Sequence, residues 1–224
     1  MLRNYGAEPQ ENETMKTKLG IFGGTFAPIH NGHLNAAIVF YDRMALDRLI
    51  IMPTFIPPHK KISADDDPEK RLEMCRLAFR GEKRNITVSD YEIGQGGKSY
   101  TYLTLRHYSA PDCDITFLVG TDMFLSLDSW KEPAEIFSLA RIALIRREAA
   151  DCGIEAMIAE AKEKYRTDYH ADIADIKCPA VDISSTEVRT LAAEGRDISG
   201  LVPDSVRDYI IENRLYSGRG GIKQ

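Results

Sequence analysis

The chain reads as an α/β protein built on a doubly wound, mostly parallel sheet. Three observations predict this. Short apolar runs alternate with helical patterns from Leu19 to Glu212. Several of those runs are apolar at successive positions, as expected for strands covered on both faces. The first run ends on Gly23-Gly24 and leads at once into a helical segment. Sheets of this kind bind ligands beyond the carboxyl ends of their strands, where such turns lie.

The strands are predicted at Leu19–Phe22, Arg48–Met52, Ile86–Ser89, Ile115–Val119, Ile142–Ile145 and Ala180–Ile183. Helical patterns fill the intervals. Asn31–Met44 follows the first strand, with Asn31 as its N-cap. Asp67–Phe79 opens with Asp67 as a cap and Pro68 at the first helical position, where a missing N–H costs nothing. Thr101–Tyr108 and Pro133–Ala140 are shorter, and Ile154–Tyr165 carries alternating charges, the mark of a solvated side. Thr186–Glu194 and Asp204–Glu212 complete the series. Residues 18–216 are expected to form one domain, with a helical C-terminal part from about residue 184. Residues 1–17 are polar and lack the apolar core of a signal peptide, so they read as a disordered leader, with Met15 an alternative start. Residues 217–224, with three glycines, read as a flexible tail.

The 224 residues are 43% hydrophobic and 28% charged, with a net charge of −5. That balance argues against a nucleic-acid partner, since general polyanion binders carry a basic face. No apolar run reaches spanning length, so no membrane partner is expected. Cys75, Cys113, Cys152 and Cys178 are widely spaced and form no CxxC pair. They predict neither zinc ligation nor a disulfide framework, but small buried apolar residues in a reducing cytoplasm.

Two segments point to phosphate chemistry. The first is Gly23-Gly24-Thr25-Phe26 with His30 and His33 beyond it, three apart at the mouth of a helix. A helix N-terminus has unpaired N–H groups and the positive end of the macrodipole, so it attracts anions. Two imidazoles one turn apart can reach the same phosphate. The loop lacks the Lys-Ser/Thr of a P-loop and the GxGxxG of a dinucleotide turn. The plainer alternative is that the histidines cap or pack locally. The second segment is Asp182-Ile183-Ser184-Ser185-Thr186-Glu187-Val188-Arg189. Its hydroxyls can cap a helix and donate to a phosphate, and Arg189 lies one turn inside. Taken alone, this segment is an ordinary N-cap.

The two segments together closely resemble the bacterial nicotinate-nucleotide adenylyltransferases, through Gly-Gly-Thr-Phe-x-Pro-x-His-x-Gly-His at 23–33 and Ile-Ser-Ser-Thr-x-x-Arg at 183–189. The first signature is shared by the wider nucleotidyltransferase superfamily. Pro57-Pro58-His59-Lys60, Ser99-Tyr100-Thr101, Gly120-Thr121-Asp122 with Trp130, Leu201-Val202-Pro203, Tyr209-Ile210 and Leu215-Tyr216 follow in the family's order. The resemblance covers about residues 17–216 and implies a Rossmann-like nucleotidyltransferase fold. It further implies that ATP, carrying Mg²⁺, and nicotinate mononucleotide give deamido-NAD and pyrophosphate. His30 and His33 would then contact the ATP phosphates in the transition state. Ser184, Ser185, Thr186 and Arg189 would hold the β- and γ-phosphates. Gly23, Gly24, Thr25, Phe26, Gly120 and Asp122 would line the nucleotide site. Trp130 would stack on the pyridine ring, Tyr100 and Thr101 would offer backbone groups to its carboxylate, and Lys60 would close over the phosphates from a Pro-rich loop.

The chain departs from the family at Ala27, where Asp is usual. The alternatives are a related nucleotidyltransferase acting on another phosphate, such as phosphopantetheine, and a nucleotide-binding module without catalysis, which Ala27 favours. A flavodoxin-like redox domain fits less well, because the loop carries histidines instead of a flavin-phosphate cradle. A homodimer is compatible with the chain. Preference for the acid or the amide mononucleotide is not legible at this level.

Overall fold

The computed structural model describes residues 16–57, 66–146, 152–179 and 181–217. Six strands, β1 (Thr17–Gly24), β2 (Arg48–Pro53), β3 (Ile86–Val88), β4 (Cys113–Gly120), β5 (Arg141–Arg146) and β6 (Ile173–Lys177), form one sheet of order β3-β2-β1-β4-β5-β6. Every pairing is parallel. The chain winds outward from β1 to β3, returns to β4 beside β1, and winds outward again. The β1–β4 seam is therefore the switch point at which a ligand cleft is expected.

The helices are α1 (Asn31–Arg43), α2 (Pro68–Ala78), α3 (Tyr91–Gln95), α4 (Thr101–Tyr108), α5 (Thr121–Leu125), α6 (Pro133–Leu139), α7 (Cys152–Tyr169), α8 (Ser185–Ala193) and α9 (Asp204–Glu212). Each of the two sheet faces carries its own apolar cluster. Leu49 and Ile51 of β2, Leu118 of β4, and Ala143 and Ile145 of β5 pack with α1, α2, α8 and α9. Ile50 and Met52, Phe117 and Val119, and Ile142 and Leu144 pack with α4, α5, α6 and α7. This two-residue alternation is the pleat expressed as packing. It explains why these strands read as continuous apolar runs: both faces are covered. Gly20 leaves room for α1 and the turn after it, since a Cβ there would overlap Leu46 Cδ1 and lie 2.9 Å from Phe40 Cε1.

Several expectations need correction. The sixth strand is Ile173–Lys177 and not Ala180–Ile183. Residues 181–184 carry no regular structure, and Ala180 lies outside the described residues. β6 is an edge strand bonded only to β5, so half of its groups face solvent and its sequence, Ile-Ala-Asp-Ile-Lys, looks polar. Pro179, lacking an N–H, turns the more apolar segment after it away from the ladder. α1 is capped by His30, whereas Asn31 sends its Nδ2 to Gly200 O at 2.7 Å. Asp67 does cap α2, accepting from Glu69 N at 2.9 Å. The short helices α3 and α5 had no periodic pattern long enough to register. β1 begins at Thr17, inside the segment expected as leader, and residues 1–15 and 218–224 lie outside the described residues. None of the four cysteines is joined in a disulfide, but only Cys75 and Cys178 are buried; Cys113 is half-buried and Cys152, at the exposed start of α7, is not a core residue. No helix among the described residues is long and apolar enough to cross a membrane.

Candidate active site

β1 delivers the chain to the switch point and the loop after it folds back on itself. Phe26 takes a left-handed conformation, φ 50°, and its ring is buried edge-on against Phe22 and His33, with centroids 5.3 and 5.1 Å away. The ring thus forms the floor under the histidines. The next peptide, Ala27–Pro28, is cis.

His30 and His33 stack with centroids 3.7 Å apart and planes tilted by 30°. His30 is the extended N-cap of α1, and its backbone N–H donates to His33 Nδ1 at 3.3 Å. A backbone donor on Nδ1 requires that nitrogen to be unprotonated. The neutral ring therefore carries its proton on Nε2, a hydrogen-bond donor for an anion. His30 is buried and His33 is half-buried, so His33 is the more accessible of the two. The plainer reading of the pair, local capping and packing, is true here together with exposure to the cleft. Gly32 permits the stack, because a Cβ there would press on His30 Cε1 and Nδ1 at 3.1 Å. Gly32→Ala improves helix propensity by about 0.5–1 kcal/mol. It should nonetheless lower turnover about ten-fold by displacing the ring. Unchanged turnover, in a variant at least as stable to urea, would contradict this geometry.

α8 brings the second segment to the same place. Ser184 is its N-cap, accepting from Glu187 N at 3.1 Å. Ser185 Oγ donates to Pro28 O at 3.0 Å. Arg189 donates through Nη1 to Ala27 O at 2.6 Å and through Nη2 to Thr186 Oγ1 at 3.0 Å. The start of α8 is thus tied to the first loop. The contact at Ala27 uses its carbonyl, which is present whatever the side chain.

A residue that sequence reasoning missed holds the loop from the other side. Arg71 of α2 is 1% exposed. Its Nη1 donates to Thr25 O and Thr54 O at 2.8 and 2.7 Å, and its Nη2 to Phe55 O at 2.9 Å. Asp66 pairs with its Nε at 2.8 Å. No pattern in α2 distinguished Arg71 from a solvated arginine. Tyr216 is packed nearby, and burial pushes its phenol well above the ordinary range, with Asp66 adding to the shift.

One cavity of about 1030 Å³ joins these groups. Gly23, Gly24, Thr25, Phe26, His30 and His33 line it from the first loop. Ser184, Ser185, Thr186 and Arg189 line it from α8. Gly120 and Asp122 line it from the β4–α5 junction, where Gly120 is the N-cap of α5 and Asp122 is exposed in its first turn. Tyr100, Thr101 and Trp130 line it on the α4 side. Trp130 is half-buried, its Nε1 3.4 Å from Ser126 Oγ, so it is neither a core tryptophan nor fully exposed. Lys60 and His59 lie outside the described residues.

Glu92 and Lys131 also line this side and were not anticipated. Glu92 accepts from Thr104 Oγ1 at 2.6 Å. Burial pushes its carboxyl upward, opposed by hydrogen bonds from Thr104 and Ser99. The cleft thus has one end rich in donors suited to phosphate and another with aromatic walls suited to a flat ring.

Residues 21–191 match the cytidylyltransferase-like family. A Geotalea daltonii protein named "Probable nicotinate-nucleotide adenylyltransferase" is 39% identical over 213 residues, covering 89% of this chain and 98% of that protein. A Clostridium kluyveri protein of the same name is 36% identical over 201 residues, covering 89% and 98%. Among solved structures, Plasmodium falciparum nicotinic acid mononucleotide adenylyltransferase complexed with NaAD has a TM-score of 0.69 at 19% identity, covering 89% of this chain and 97% of that one. At that identity the likeness concerns the fold. With a family match over most of its length and relatives this similar across nearly their whole chains, the protein belongs to the nicotinate-nucleotide adenylyltransferases of the cytidylyltransferase-like family.

Proposed function

We propose that the cleft transfers the adenylyl group of ATP to the phosphate of nicotinate mononucleotide, forming deamido-NAD and releasing pyrophosphate. The observation that carries this reading is the convergence of the stacked histidines and the Ser184–Thr186 turn on one cavity that also holds Trp130 and Tyr100. An oxygen of the mononucleotide phosphate attacks the α-phosphorus in line as the bond to the pyrophosphate breaks. A phosphate monoester is largely ionised at neutral pH, so the nucleophile needs no base. Positioning and stabilisation of charge supply the catalysis.

In this reading His33 Nε2–H donates to the α-phosphoryl oxygens, with His30 and the start of α1 behind it. Gly23, Gly24, Thr25 and Phe26 shape the floor, and Gly120 and Asp122 the nucleotide wall. Ser184, Ser185, Thr186 and Arg189 hold the departing phosphates, and Lys60 covers them. Tyr100 and Thr101, at the N-terminus of α4, receive the pyridine carboxylate, and Trp130 stacks on the ring. The phosphate end presents donors (hydroxyls, guanidinium, N–H groups), which suit phosphate oxygens and not a cation. Mg²⁺ is therefore proposed to enter bound to ATP's own oxygens, as part of the co-substrate. The same reading makes the protein a cytoplasmic enzyme, and a homodimer is compatible with it.

Purified protein given ATP, Mg²⁺ and nicotinate mononucleotide should release pyrophosphate, and the mononucleotide should quench Trp130, the single tryptophan. ATP binding without release would favour a non-catalytic module. Release with 4′-phosphopantetheine and not with the mononucleotide would favour the other acceptor class.

A further inference from the structure

We propose that Lys131 sets the preference for a carboxylate over a carboxamide on the acceptor's pyridine ring. The inference rests on the reading above, in which Trp130 stacks on that ring. Lys131 is the next residue in the chain and lines the same cleft. Its ammonium lies 4.8 Å from the centroid of the Tyr100 ring and 5.9 Å from that of Tyr102. Cation–π attraction of this kind holds an otherwise mobile lysine head in place, its stem along the aromatic surface. Tyr100 is the backbone N-cap of α4 and has no side-chain cap bond, so the open N–H groups of that helix and the Lys131 charge face the same end of the cleft.

Among the described residues the charge is not spent in an ion pair. Arg106, which lies over the Tyr102 ring at 5.4 Å, gives its Nε and Nη2 to Glu135 at 2.7 Å each. Lys131 forms no ion pair among the described residues. The other charged groups lining this end are Lys98, Asp122 and Glu92. Glu92 is buried and accepts from Thr104 Oγ1 at 2.6 Å, so one of its oxygens is already engaged away from a bound carboxylate. Backbone N–H groups alone discriminate weakly here, because a carboxamide oxygen also accepts from them. An ammonium adds attraction for the carboxylate that a neutral amide does not share.

The test is steady-state kinetics of the full chain with nicotinate and nicotinamide mononucleotides as alternative acceptors. The wild-type protein should favour the acid. In Lys131→Met, which keeps the stem on Tyr100, the ratio of the two kcat/KM values should fall about ten-fold, through a higher KM for the acid. The KM for ATP should stay as in the wild type, which reports an intact fold. Lys131→Arg should keep the preference, and Lys98→Met should keep it as well. An unchanged ratio in Lys131→Met, or an equal fall in Lys98→Met, would overturn the proposal while leaving the adenylyl-transfer reading intact. A wild-type protein that uses neither mononucleotide would overturn both.

Discussion

Arg71→Met is expected to lower the free energy of unfolding by about 3–5 kcal/mol, the largest stability loss of any single change near the site. The guanidinium is 1% exposed and donates to three carbonyls, those of Thr25, Thr54 and Phe55. Methionine fills much of the volume but supplies no donor. Each of these half-buried carbonyls then loses the guanidinium, at up to about 1–3 kcal/mol apiece before relaxation. Asp66, only 14% exposed, keeps a carboxylate with no cation beside it. The loop carrying Thr25 is also the floor of the cleft, so turnover should fall with stability. Urea denaturation checks the first effect. The double variant Arg71→Met/Asp66→Asn should recover part of the loss, because it removes the stranded charge. Equal stability of the single variant and the wild type would show that the network contributes nothing.

His33→Ala should lower turnover about 10²–10³-fold and leave ATP affinity within a few-fold of the wild type. The geometry gives the reason. Nδ1 is occupied by His30 N–H, so the Nε2 donor is fixed in tautomer and direction before substrate arrives. A preorganised donor acts most where charge accumulates, on the crowded α-phosphoryl group at the transition state, and less on ground-state ATP. ATP titration of the variant separates the two effects. Equal losses in binding and turnover would assign His33 to simple phosphate binding. His33→Asn, which keeps an N–H donor, should retain more turnover than His33→Ala.

Legibility followed a physical divide. β2 and β5 were readable because a strand covered on both faces is apolar at successive interior positions, Leu49–Met52 and Ile142–Ile145. β6 was not, since an edge strand bonded on one side tolerates Asp175 and Lys177 in its ladder. The glycine turn, the two histidines and the Ser-Ser-Thr-x-x-Arg segment were recognisable as local patterns. What they bond to was not: Arg189 reaches Ala27 and Ser185 reaches Pro28, both across more than a hundred and fifty residues of chain. Arg71 gave no signal, because a buried arginine in a helix is spelled the same way as a solvated one.

Local composition and spacing were enough to name the fold class and the phosphate-seeking loops, since apolar periodicity and turn chemistry act between near neighbours in the chain, and the resemblance of the motifs at 23–33 and 183–189 to a known family supplied the rest. The convergence of those loops on one cavity, the tautomer of His33, the arginine beneath the floor and the seating of the Lys131 ammonium on the Tyr100 ring were decided only by the folded sheet. Parallel winding places β1 and β4 side by side although some ninety residues separate them, and no short-range pattern encodes which distant groups then come within bonding reach.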